Sequence, residues 1–194
     1  MLNKNFLNQV FNDMLQFELN KYAHIDFVYT QENVPSTGKA IHAMFVNAVR
    51  YNGIFRVFNG ANDAENLYFT PETNLLYRAL HDVHHAESYA VGLGGTTKIA
   101  DELRLNCKMA YLAFSYALSV TNIDSAMAVF FAVYHDTVGQ VNYYRDNQDF
   151  CTNQKALTVN LLNDCEGVKH LICGRTSQAK QVMLGYMQAC NFTG

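Results

Sequence analysis

Charge is scarce in this sequence. Lys, Arg, Asp and Glu make up 16% of its 194 residues, where soluble domains usually carry about 25%. The net charge is −3, which excludes a broad nucleic-acid-binding face. The surface must then be solvated mainly by Asn, Gln, Thr and Ser. CxxC spacing is also absent. Cys107, Cys151, Cys165, Cys173 and Cys190 are scattered and odd in number, as expected of reduced cytosolic thiols that mostly fill a core. No apolar run approaches the ~20 residues of a membrane span. The longest, Ala126 to Tyr134, suits a buried helix. The first twenty residues include Asp13 and Glu18 and do not resemble a signal peptide. A soluble, cytoplasmic chain is expected.

What is present is apolar and aromatic: 49% and 13% of residues, enough to build one core. The length suits a single domain over residues 1–194. Phe6, Leu7, Val10, Phe11, Met14 and Leu15 recur at helical spacing, so residues 3–22 read as an amphipathic helix. Further helices are expected near 39–51, 71–90, 98–119, 124–144, 154–163, 165–173 and 177–190. Thr70-Pro71-Glu72 is a helix start: a cap, a proline at the first position and an acid at the positive end of the dipole. Thr96 or Thr97, Asp124 and Ser177 are the expected starts of three later helices. Residues 24–30 and 54–58 are rich in β-branched and aromatic side chains and read as short extended pieces. The expected fold class is all-α: one bundle of seven or eight helices.

The chemistry concentrates in Leu80-His81-Asp82-Val83-His84-His85. On a helix, residues three or four apart share a face. His81 and His85 are therefore neighbours, with Asp82 at the edge of that face. Two imidazoles one turn apart and a carboxylate can hold a divalent cation. The competing reading is a solvated polar face. His84 points partly away and is expected at a surface or behind the ligands. Glu102 follows a glycine-rich turn. If its helix packs antiparallel on the histidine helix, Glu102 meets His85 as ligand or general base; otherwise it only complements the helix dipole. His135-Asp136 follows the apolar run, and an unpaired buried carboxylate is costly. Facing a metal satisfies it; an exposed helix edge does too. His42 stands alone on its helix.

Leu80-His81-Asp82-Val83-His84-His85 resembles the LHDIGH core of the HD-domain superfamily, all-α metal-dependent phosphohydrolases. That resemblance implies a metal held by His42, His81, Asp82 and Asp136, which fall in the family's order. A second resemblance covers about residues 68–160. An HDxxH helix, a helix bearing Glu102, then Asp136 before GQxxYY and FxxxQ look like a group of uncharacterised bacteriophage-borne proteins. It implies ligands His81, His85, Glu102 and Asp136, and a host cytoplasm as location. Both resemblances share His81, Asp82 and Asp136, and the metal site they imply requires those three to converge.

Three functions follow as expectations. The first is a hydrolase acting on a nucleotide or other phosphate ester. Its cofactor is a divalent metal (Mn, Mg, Co, Fe or Zn), and Glu102 or His85 moves protons. The second is a non-enzymatic phage protein that binds a host protein and inhibits or redirects it. The third is a di-iron redox protein. The partners implied are a small phosphate substrate or a host protein. The Tyr and Phe content allows a homo-oligomer.

Overall fold

Helical spacing becomes helix over most of the chain. A computed structural model describes residues 3–192. The elements run α1 (Lys4–Leu19), β1 (Asp26–Thr30), α2 (Gly38–Tyr51), β2 (Ile54–Phe58), α3 (Pro71–Ala90), α4 (Ile99–Val120), α5 (Ile123–Asn147), α6 (Gln154–Asp164), α7 (Glu166–Ile172) and α8 (Thr176–Ala189). A 3-10 turn, Asn20–Tyr22, continues α1. The class is all-α, as its apolar periodicity predicts.

The two extended pieces are real strands. They pair in parallel, Phe27 opposite Phe55, and α2 is the crossover that parallel pairing needs. Aromatic stacking joins them: the Phe27 and Phe55 rings meet edge-on at 5.6 Å.

Helix starts follow capping chemistry with some exchanges of residue. The Thr70 hydroxyl accepts from the Thr73 N–H, and Pro71 opens α3. α4 starts at Lys98 without a side-chain cap, because Thr96 is engaged elsewhere: its N–H donates to Asp101 at 3.0 Å. Asn122, not Asp124, caps α5 and accepts from Ser125. Asp124 instead accepts from the Thr176 hydroxyl at 2.8 Å. Ser177 lies inside α8, whose N-terminal flank Arg175 makes no side-chain cap bond.

α5 is the central helix. Met127, Val129, Phe130, Phe131 and Val133 have no exposed surface. Each such side chain contributes about 1.5–3 kcal/mol relative to an exposed one. A two-residue link, Thr121-Asn122, folds α4 back on it. One apolar cluster joins α1, α4, α5 and α8. A second, smaller one lies between the sheet, α2 and α3, and includes Phe55, Val57, Ala79, Val83 and Ala86. α3 serves both, with Leu80 turned to the larger cluster. Its remaining stripe, which carries His81 and His85, faces the start of α4.

Among the described residues, no helix is long and apolar enough to cross a membrane. All five cysteines are free; Cys107, Cys165 and Cys190 are buried and Cys173 is exposed. Cys173 is expected to label first with a thiol reagent in the native state, and the three buried thiols only on unfolding. Pulsed alkylation with peptide mapping reads that order.

Candidate metal centre on α3 and α4

One helical turn sets His81 above His85, with ring centroids 4.6 Å apart. The α3–α4 fold-back brings Glu102 between them. Its Oε1 lies 3.2 Å from His85 Nε2 and its Oε2 3.4 Å from His81 Nε2. The shorter gap is the one to His85. The His81 Nε2 is shielded from solvent and has no hydrogen-bond partner. One ligand atom from each of the three residues falls within 4.8 Å of the others.

Their protonation follows from burial and from Glu102. Burial drives the His81 imidazole down to about 4, outweighing Glu102, so it is neutral at pH 7. Burial also opposes charge on His85, but the Glu102 carboxylate beside it wins and holds it above its ordinary value. Glu102 is held below its own, because the two histidines outweigh burial.

A carbonyl behind the site fixes the tautomer of His85. Its Nδ1 lies 3.2 Å from Gly95 O, so Nδ1 donates and Nε2 is turned to Glu102. The Gly95 carbonyl is itself pressed by α2: a Cβ on Gly38 would collide with it. The glycine turn therefore does more than stop α3; it also holds the His85 ring. Asp101 ties the same turn through Thr96.

Other expected site residues fall elsewhere. Asp82 is outside the three-residue ligand group. Burial raises its carboxyl to about 7, against the pull of His85. His42 is also outside: its Nδ1 lies 3.1 Å from Ala86 O, and its ring packs on Tyr89 at 5.5 Å. It ties α2 to α3. His84 is neither ligand nor surface group. It is 3% exposed, and burial, then Lys108, keeps it neutral. Asp136 does not reach the ligand group, but it lines a cavity of about 670 Å³ that Glu102 also lines. The set required by the HD-type resemblance, His42, His81, Asp82 and Asp136, is thus not the one brought together. His81, His85 and Glu102 are.

Two features of the cavity wall have no sequence signal. Tyr77 donates its hydroxyl to Asn106, and Asn106 donates to Glu102 O at 2.9 Å, which braces the first turns of α4. On α5, one turn beyond Asp136, both amide atoms of Gln140 are shielded and unpartnered. His135 faces a different, smaller cavity of about 350 Å³ shared with Tyr186. Burial holds its imidazole down near 4.

Comparison with protein-family models, with curated proteins and with solved structures found no match.

Proposed function

We propose that this chain is a metal-dependent hydrolase of phosphate esters, with a divalent cation held by His81, His85 and Glu102. The observation that carries the reading is the spacing of the three ligand atoms around an orphaned His81 nitrogen. For ligands about 2.1 Å from one ion, neighbouring donors stand roughly 3.0–3.4 Å apart in octahedral or tetrahedral geometry. The His–Glu separations of 3.2 and 3.4 Å, one to each Glu102 oxygen, suit an ion gripped by both oxygens of the carboxylate. A buried imidazole nitrogen with no partner is costly, and a cation would satisfy it. The mixed nitrogen and oxygen set suits Zn, Mn, Co or Fe(II) better than Mg.

A bound divalent cation supplies Lewis acidity to a phosphoryl oxygen and acidifies a nearby water. His85 Nε2 and Glu102 Oε1, 3.2 Å apart, would both face that ion. The Gly95 carbonyl keeps His85 in register for it.

Metal content tests the reading. Protein loaded with Zn, Mn or Co and then desalted is expected to retain about one ion per chain by elemental analysis. His81→Ala, His85→Ala and Glu102→Ala should each weaken binding at least tenfold, and turnover of a phosphate-ester panel should disappear with the metal. A wild-type chain that retains no ion would sink the proposal. Retention without turnover would favour a metal staple in a non-enzymatic binding protein.

A further inference from the structure

The large cavity beside the triad has an unusual charge balance. Four carboxyl side chains line it (Glu102, Asp136, Asp63 and Asp149), and one cation, Arg78. Arg78 is already engaged. Its guanidinium donates to the carbonyls of Phe58 at 3.0 Å and Gly60 at 2.6 Å, and it sits over the Phe58 ring at 5.6 Å. Glu102 is occupied by the two histidines. Asp63 and Asp149 stand at the exposed rim.

That leaves Asp136. Its Oδ1 accepts from the Thr158 hydroxyl at 2.9 Å, and no ion pair among the described residues includes it. Lys4 is the cation that acts on it through space, but the Lys4 amine lies over the Tyr68 ring at 5.2 Å. Asp136 is half-buried, and a carboxylate drawn out of water without a counter-charge is costly. Burial accordingly pushes this one up to about 7. One turn on, Gln140 adds an amide whose oxygen has no donor. Tyr77 and Phe150 add aromatic surface to the same walls, and aromatic faces attract organic cations.

We infer that this cavity binds the ammonium group of an organic cation, with Asp136 as its counter-charge and the Gln140 carbonyl as a second acceptor. The inference adds a substrate class to the hydrolase reading, and in that form it rests on it. The ester would carry its phosphate toward the triad and a positively charged amine on its alcohol portion. A free phosphate has no unengaged cation to meet in this cavity until a metal is bound. Ammonium binding itself needs no metal, so the two readings fail separately.

Calorimetric titration at pH 8 with a chelator present tests it, using benzylammonium, neutral benzyl alcohol and inorganic phosphate as probes. Benzylammonium is expected to bind at least tenfold more tightly than benzyl alcohol, and phosphate not to bind. Asp136→Asn should lose at least tenfold in benzylammonium affinity while remaining folded by circular dichroism. Gln140→Leu should lose several-fold. Equal affinity for the amine and the alcohol overturns the inference, and so does an Asp136→Asn protein that binds the amine like the wild type. His81→Ala should bind benzylammonium normally. If it does while no variant or wild type holds metal, the ammonium site stands and the hydrolase reading falls.

Discussion

Asp136→Asn is expected to raise the melting temperature at pH 8 and to leave it unchanged near pH 3. Burial moves this carboxyl from 3.8 to about 7 in the folded chain. Below 3.8 the folded and unfolded chains both carry the proton, and the residue costs nothing. Between 3.8 and 7 the unfolded chain ionises first and binds fewer protons, so stability falls as pH rises. Above 7 both forms are ionised and the cost is complete. It is on the order of 4 kcal/mol at 1.36 kcal/mol per pH unit of difference. Asparagine removes that charge and keeps an oxygen for the Thr158 hydroxyl. A gain of this size corresponds to roughly 8–16 °C for a chain of this length. Thermal unfolding of both proteins across pH 3–9 checks the sign and the window. Equal melting curves at pH 8 would mean that the carboxylate already has a counter-charge. A residue that costs stability in the free protein is the kind retained for binding.

Gly95→Ala is expected to destabilise by about 3 kcal/mol or more, the range of strained or overpacked backbone sites. Gly95 has φ +77°, and a Cβ there would run into the His85 carbonyl and the Tyr89 N–H, both backbone atoms of α3. Neither can swing aside as a side-chain tip could. Gly92 is the control. Its φ is +69°, yet nothing stands within 4 Å of an added Cβ, so Gly92→Ala should cost only the left-handed conformation, about 1–2 kcal/mol. Urea unfolding of the pair separates collision from backbone strain. Because His85 Nδ1 is hydrogen-bonded to Gly95 O, metal affinity should fall with the first substitution and hold with the second.

The helices were legible because their signals are local. Thr70-Pro71-Glu72 starts α3 through chemistry contained in three residues, and the spacing of His81 and His85 fixes their shared face. Glu102 was legible at one remove, from a short glycine turn that forces the next helix back. Capping residues were less so: Thr96 was lost to Asp101, and Ser177 to a helix that begins one residue earlier. What sequence order could not supply was distance across the fold. His42 stands in the position that the HD-type pattern assigns to a ligand, yet a backbone carbonyl on α3 takes its nitrogen. Asp136 carries the right chemistry, but α5 sets it across a cavity from the triad. Gln140 gave no sign at all, because being unpartnered is a property of its neighbours.

The three proposed ligands also lie close along the chain, between residues 81 and 102, on two helices joined by one turn. The cavity draws its walls from Phe58 to Gln154. Closing a short loop costs little chain entropy, and each doubling of length adds about 0.6 kcal/mol. The triad is therefore a product of one helical hairpin, and it can assemble as soon as α3 meets α4. The cavity exists only once α5 and the segment after it have docked. The proposed ion would need one short loop closed, and the proposed ligand the docking of a much longer stretch of chain.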